Sequence, residues 1–196
     1  MQNNRTGLLS KLCTSGESQY QLPISYLKLH EDAVFNMGTF VFPPATAMPL
    51  HNHPRMTVLS KLLYGKVHWL SYDWVDANEF GKDGIHGTLP GTPRLAWVVC
   101  DRVVEATEGH MALYSTSGGN VHSIRSITPA AMLDILTPPY SPEHGRECHY
   151  FKEVPKGPNG EPPGPGQAWL VEIDCPDFEV IRGTYNGPKF GSEVSR

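Results

Sequence analysis

Short runs of strand-forming residues, each ended by glycine or proline, dominate the sequence. From residue 24 onward the runs ISYLKLHED, AVFNMGTFVF, TVLSKLLYG and KVHWLSYDWVD follow one another at close spacing. Glycine occurs 19 times and proline 18 times, and nothing beyond roughly the first 20 residues repeats with the period of a long amphipathic helix. We therefore predict an all-β sandwich or barrel of the jelly-roll type with few short helices.

The chain length of 196 residues fits one domain with a real core. We predict a short polar amino-terminal segment over residues 1–21 and one β domain over residues 22–196. In PKGPNGEPPGPG, nine of twelve residues are proline or glycine, which predicts a loop over residues 156–166. The runs QAWLVEI and FEVIRGTY that follow are too short to fold alone, so we expect them to return to the main sheet.

The two runs on either side of Gly65 predict a β-hairpin. TVLSKLLY and KVHWLSYDWV both have strand composition, and the turn between them falls at Tyr64-Gly65-Lys66. Two strand patterns separated by a short glycine turn are typical of antiparallel neighbours.

The charge and composition exclude several classes of partner. A net charge of −4 with 16 basic residues leaves no basic stripe, so we expect no nucleic-acid partner. No apolar run approaches the roughly 20 residues of a membrane span, and the start MQNNRTGLLSKLCTS lacks a signal-peptide core.

The four cysteines form no CxxC pair, which favours free thiols in a reducing compartment; they are Cys13, Cys100, Cys148 and Cys175. We expect the cytoplasm and nucleus.

Two histidines separated by one residue lie between prolines in MPLHNHPRMT. Residues two apart on a strand project from the same face, and a residue before proline is pushed towards extended geometry. His51 and His53 should therefore point the same way, with Leu50 and Asn52 turned opposite. This arrangement lets two imidazoles reach one metal ion; two surface histidines on a polar strand are the alternative. No Asp or Glu occurs from Ala33 to Tyr72.

A third ligand would make metal binding a stronger interpretation. His122 is the best candidate, because SGGNVHSI places it just past a Gly-Gly turn at the start of a strand. His68 is expected to be structural and His86 solvated. His144 and His149, in SPEHGRECHY, are harder to dismiss, although His149 flanks Cys148 and Tyr150 without a recognisable ligand spacing. His30 and His110 are the other histidines.

The HxH pair followed by a glycine turn and a later histidine resembles the two-part metal motif of the cupin superfamily. More specifically, PLHNHPRMTVLSKLLYGKVHWLSYDWV, SGGNVHSI and LDILTPPYSPEHGRECHYF resemble the plant cysteine oxidases and their animal relatives, the cysteamine (2-aminoethanethiol) dioxygenases. The resemblance runs in order from about Leu22 to Phe190. It implies a double-stranded β-helix, the cupin jelly roll, and Fe(II) held by His51, His53 and His122 without the glutamate ligand of many cupins.

The resemblance also implies an activity. Three neutral imidazoles leave the charge of Fe(II) uncompensated, so a substrate thiolate can supply the anionic ligand that the protein omits. The implied reaction uses O₂ to convert the N-terminal cysteine of target proteins to cysteine sulfinic acid, as an oxygen sensor in the N-degron pathway, by a monomeric enzyme. A small-aminothiol (cysteamine) dioxygenase and a non-catalytic metal-binding or sugar-binding cupin are the alternatives.

Further site residues follow from the resemblance. It implies that Asp134, in MLDIL, and Tyr140, in TPPY, line the active site. A carboxylate in an apolar run is costly unless it is paired or hydrogen-bonded, and its alternative role is a structural acceptor for backbone amides. Tyr140 is alternatively a turn residue packed on prolines. In the animal relatives a cysteine and a tyrosine spaced like Cys148 and Tyr150 are associated with a thioether crosslink, whereas a buried free thiol beside a ring is the ordinary alternative.

Overall fold

Strands make up nearly all of the regular secondary structure in this computed structural model, which describes residues 22–76 and 91–188. The prediction of an all-β protein with few short helices is confirmed, since a 3-10 helix at Pro142–His144 is the only helix among these residues. None of the described residues forms a helix long and apolar enough to cross a membrane. The segment predicted over residues 1–21 and His86 lie outside the described residues.

In chain order the strands are β1 (Ile24–Glu31), β2 (Asn36–Phe42), β3 (Ala47–His51), β4 (Thr57–Tyr64), β5 (Lys66–Trp74), β6 (Arg94–Glu105), β7 (Met111–Leu113), β8 (Val121–Ser126), β9 (Ala130–Thr137), β10 (Tyr150–Val154), β11 (Gln167–Ile173) and β12 (Val180–Arg182).

The strands form two six-stranded sheets. One is open, in the order β12-β1-β2-β9-β4-β7, and the other closes on itself in the order β10-β11-β6-β5-β8-β3. The closing contact is the pairing of Tyr150 with His51. Only β12 and β1 pair in parallel; the other pairings among the described strands are antiparallel, as in a jelly roll.

The main hydrophobic core contains residues from both sheets, because the strands alternate inward and outward side chains. From the open sheet come Leu62 and Met132, and from the closed sheet come Val67 and Trp69, all 2% exposed or less. A second cluster is formed by residues of the closed sheet alone, around Tyr72. The two clusters hold the strands that carry the candidate site residues.

Gly65 joins β4 to β5, but these strands do not form the predicted hairpin. β4 pairs with β7 and β9 in the open sheet, whereas β5 pairs with β6 and β8 in the closed one. Gly65 has φ 88°, and a Cβ there would lie 2.3 Å from the Pro129 carbonyl oxygen. It forms a corner between the sheets. The prediction is wrong because the apolar pattern shows which face of each strand is buried but not which strand lies beside it.

The carboxyl-terminal residues return to both sheets after a long loop. β10 ends at Val154 and β11 begins at Gln167, and no strand lies between them. β11 then pairs with β10 and β6, and β12 pairs with β1. The run FEVIRGTY contributes only the three residues of β12, which is shorter than its composition indicates.

Candidate metal centre

Three buried imidazoles meet where β3 and β8 run side by side. His51 ends β3 and pairs directly with His122 of β8, after a register shift between Met48 and His51. Such irregularities re-aim side chains next to functional sites. His53 lies two residues beyond the end of β3 rather than on the predicted strand. One ring nitrogen of each histidine lies within 4.8 Å of the other two, so the structure brings the three predicted ligands together.

Backbone carbonyls orient two of these rings. His51 Nδ1 lies 2.8 Å from the Pro49 carbonyl oxygen, and His122 Nδ1 lies 3.3 Å from the Asn120 carbonyl oxygen. A carbonyl oxygen only accepts, so Nδ1 carries the proton in both rings. Nε2 is then the unprotonated nitrogen left for a metal ion, which is the usual arrangement of histidine ligands.

Tyr140 orients the third ring. Its hydroxyl lies 2.8 Å from the Asn52 carbonyl oxygen and 2.6 Å from His53 Nδ1. The single hydroxyl proton is donated to the carbonyl, so the Nδ1–H of His53 donates to the Tyr140 oxygen. His53 Nε2 is buried and has no hydrogen-bond partner among the described residues. An unpaired buried ring nitrogen fits a ligand to a metal, and Tyr140 does more than pack on prolines.

Burial keeps the cluster neutral. It lowers the pKa of His51, and it lowers the pKa values of His53 and His122 well below the ordinary value for histidine, with the neighbouring imidazoles adding to the effect. Neutral imidazoles have the lone pair that ligation requires. Within the part of the chain that the structure describes, no Asp or Glu belongs to the cluster. The donor set is thus three neutral nitrogens.

Asn120 holds the segment that carries His53, a role that the sequence analysis missed. Its Oδ1 accepts a hydrogen bond from His53 N at 2.9 Å, and its Nδ2 donates to the carbonyl oxygens of His53 and Tyr114. The backbone N–H groups of Gly119 and Asn120 donate to Asp73 Oδ1. The sequence did offer a signal for this role. The Asn120 side chain lies between a Gly-Gly turn and an apolar strand, and a buried side-chain amide needs hydrogen-bond partners.

Trp69 is a second contributor that the sequence analysis missed. It is 2% exposed, and its ring stacks on that of His122 with centroids 4.8 Å apart and planes 6° apart. His68 Nε2 bonds Asp101 Oδ1 at 2.7 Å on the surface, as a structural histidine. Trp69 therefore restrains the ring plane of one candidate ligand.

The remaining described histidines have other surroundings. Three bond to a neighbouring polar side chain and one is exposed, and none belongs to the metal-like cluster. They are His30 with Asp32, His144 with Ser141, His149 with Glu172, and the exposed His110.

The three imidazoles line a cavity of about 500 Å³. Both residues predicted to line the active site, Asp134 and Tyr140, border this cavity as well. Much of the remaining wall is aromatic or aliphatic, including Tyr26, Phe40, Met48, Leu136, Tyr150 and Phe178. A cavity of this size with a few convergent polar groups is typical of a ligand site.

Asp134 is a buried carboxylate in β9 with only part of its hydrogen-bonding capacity used. It is 8% exposed, its side chain hydrogen-bonds with Ser60, and its Oδ1 is buried with no partner in the described ranges. Burial raises the pKa of Asp134 to about 7, against the opposing effect of Ser60. Asp134 therefore hydrogen-bonds with a side-chain hydroxyl, whereas a purely structural acceptor was expected to bind backbone amides. Its catalytic role stays a prediction.

Cys148 and Tyr150 lie side by side on the cavity wall. Tyr150 is the first residue of β10, and Cys148 precedes the strand rather than lying within it. The Cys148 thiol hydrogen-bonds with the hydroxyls of Tyr140 and Tyr150, and burial raises the pKa of this thiol. The thioether crosslink stays a prediction, with both partners in contact.

The matching family model and the curated relatives agree on one family. The PCO_ADO family model matches residues 3–190. "Plant cysteine oxidase 1" of Arabidopsis thaliana is 39% identical over 88% of this chain, and "2-aminoethanethiol dioxygenase" of Mus musculus is 33% identical over 85% of it. The chain spans 60% of the length of the plant relative and 71% of that of the mouse relative. An RmlC-like cupin from Desulfovibrio desulfuricans superposes with a TM-score of 0.39 at 16% identity, covering 65% of this chain and 99% of that one.

Replacing one candidate ligand should weaken metal binding without unfolding the protein. His122→Ala removes one of three imidazole donors, and we expect Co(II) affinity, measured by calorimetry on chelator-treated protein, to fall at least about tenfold. His68→Ala is the matched control on the neighbouring strand β5, because its ring bonds Asp101 on the surface. Equal Co(II) affinities for the two variants would contradict the assignment of the site.

Proposed function

The chain belongs to the PCO_ADO family, together with plant cysteine oxidases and 2-aminoethanethiol dioxygenases, and we propose that it is an iron-dependent thiol dioxygenase. The observation that carries the proposal is the cluster of His51, His53 and His122, three neutral nitrogen donors beside a cavity. Imidazole donors suit Fe(II) among other transition metals. When bound, Fe(II) would supply the charge that ionises a substrate thiol and the redox chemistry that adds O₂ to sulfur.

The proposed substrate is the N-terminal cysteine of a protein or peptide. A cavity of about 500 Å³ is much larger than an aminothiol of a few heavy atoms, so it leaves room for the residues that follow the cysteine. Its largely apolar wall favours exclusion of water around the thiol. Conversion of the terminal thiol to sulfinic acid would mark the protein for the N-degron pathway and so couple its lifetime to oxygen.

The chain's own groups position the substrate and handle its protons. A terminal ammonium and a thiol must both lose a proton before nitrogen and sulfur can act as donors. Asp134 has an unpaired Oδ1 and a pKa near 7, and it borders the same cavity as the imidazoles. A carboxyl group with such a pKa exchanges a proton readily at neutral pH. We assign proton acceptance from the substrate to this oxygen, while the Tyr140 hydroxyl keeps His53 in the ligating tautomer.

A free terminal amine should be necessary for rapid oxidation. We expect a peptide that begins with Cys to gain two oxygen atoms, detected by mass spectrometry, when it is incubated with Fe(II)-loaded protein and air. Its N-acetylated counterpart lacks the amine donor and should react at least about tenfold more slowly.

Cysteamine is the second arm of this experiment. Equal initial rates for the acetylated and free peptides would contradict capture through both sulfur and nitrogen. Oxidation of cysteamine alone would instead establish the small-aminothiol dioxygenase, and failure of all three compounds with iron bound would favour a non-catalytic cupin.

Replacing Asp134 should slow turnover and remove a pH dependence of the unfolding free energy. With Asp134→Asn we expect the initial rate on the Cys-initiating peptide to fall about 10–100-fold with iron content retained. The folded-state pKa of about 7 lies above the ordinary value of 3.8, so the folded protein binds this proton more tightly than the unfolded chain does. The wild type then loses up to about 4 kcal/mol of unfolding free energy as the pH rises from 4 to 8, and the variant lacks this loss.

Urea denaturation of the metal-free proteins at both pH values measures the stability difference. Because all other groups are shared, their titrations cancel in the comparison of wild type and variant. Full turnover combined with a stability difference that does not depend on pH would show that Asp134 is a structural acceptor.

A further inference from the structure

Cys148 and Cys175 lie just past the paired ends of β10 and β11. The antiparallel register places Tyr150 opposite Ile173. If the same register continues outward by two residues on each segment, Cys148 faces Cys175. Directly opposed residues in an antiparallel ladder have Cα atoms about 4.5–5.5 Å apart, which falls within the range that a disulfide spans.

The two thiols also share a partner. The Tyr150 hydroxyl hydrogen-bonds with both Cys148 and Cys175. Because one hydroxyl reaches both sulfurs, the two thiols lie on the same side of the ladder and face a common point. Both cysteines are free thiols. Their opposed positions and shared contact distinguish this pair from two cysteines that are merely near in sequence.

The pair extends from the solvent to the cavity. Cys175 is exposed, whereas Cys148 is partly buried and borders the cavity that the imidazoles line. An exposed thiol can meet a dissolved oxidant, and the inner thiol can then resolve the product.

We propose that Cys148 and Cys175 form a redox-sensitive dithiol that closes to a disulfide between the segment before β10 and the segment after β11. This inference does not rest on the proposed function, because it follows from the register, the contacts and the exposure of two thiols. In a reducing compartment such a bond is transient and reports the local thiol–disulfide balance.

The oxidant is a small-molecule disulfide such as glutathione disulfide. The Cys175 thiolate attacks one glutathione sulfur, forming a mixed disulfide and releasing one glutathione thiolate. The Cys148 sulfur then attacks the Cys175 sulfur and releases the second glutathione. Two protein thiols lose two protons and two electrons, and one glutathione disulfide becomes two glutathione thiols.

Closing the bond changes the wall of the cavity. The Cys148 thiol hydrogen-bonds with Tyr140, whose hydroxyl lies 2.6 Å from His53 Nδ1, so oxidation removes a thiol proton next to the group that orients a candidate ligand. Three residues after Cys175, the Phe178 ring packs edge-on against Tyr150 with centroids 5.8 Å apart. The disulfide therefore ties the segment carrying Phe178 to the part of the cavity wall that Cys148 forms.

Cys100 provides a matched control within the same chain. It lies in β6 and pairs with Ser71 of β5, so no cysteine is opposite it in the described ladders. Cys100→Ser removes one thiol and leaves the proposed pair unchanged.

The test equilibrates the 196-residue chain, without oxygen, in glutathione buffers of graded redox ratio. Free thiols are then alkylated and the peptides are mapped by mass spectrometry. We expect a Cys148–Cys175 linkage in most chains at the oxidising end, in wild type and in Cys100→Ser. It should disappear on treatment with dithiothreitol and should not form in Cys175→Ser.

Three outcomes would overturn the proposal. Cys148 and Cys175 could stay separately alkylated or separately glutathionylated at every ratio. Cys148 could pair with Cys13 or Cys100 instead. A bond from Cys148 to Tyr150 that survives dithiothreitol would show that the inner thiol is committed to a thioether. Because the wild-type map alone decides among these outcomes, a folding defect in Cys175→Ser does not affect the result.

Discussion

The candidate site depends on the pairing at His51 that closes the sheet β10-β11-β6-β5-β8-β3 on itself. His51 pairs with His122 on one side and with Tyr150 on the other, so the residue that completes the sheet also brings two imidazoles and the cavity wall together. His53 joins them because the Asn120 side chain binds both its backbone N–H and its carbonyl oxygen. The metal-like cluster is thus a consequence of strand pairing.

The electrostatics of the site follow from the same burial. Three imidazoles packed away from water stay neutral, and within the described ranges no carboxylate joins them. A divalent ion placed there would keep its charge and would favour an anionic ligand from the substrate. The nearby Asp134 is held largely as the neutral acid by burial until about pH 7, so it adds little negative charge to the cavity below that pH. Neutral imidazole ligands beside a titratable carboxyl group suit a substrate thiol that must lose its proton on binding.

The sequence predicted local features well and partner-dependent features poorly. The all-β class followed from composition and turn residues, and HxH with the later SGGNVH was enough to nominate all three histidines. The hairpin at Gly65 was wrong because strand patterns do not show that the chain changes sheets there. Asn120 and Trp69 were missed because their contacts exist only after β3, β5 and β8 pair. The opposition of Cys148 and Cys175 likewise depends on the register of β10 and β11, which the two widely spaced cysteines do not encode.

The proposed function requires that the three-histidine centre, with Fe(II) bound, transfers both atoms of one O₂ molecule to the sulfur of a terminal cysteine. The most direct measurement uses heavy-isotope dioxygen in ordinary water, with Fe(II)-loaded protein and a Cys-initiating peptide, and reads the product mass before any exchange with solvent. A dioxygenase gives a sulfinic acid in which both added oxygen atoms are heavy. A product with one heavy and one ordinary oxygen, or with two ordinary oxygens, would contradict the claim, because at least one atom would then come from water.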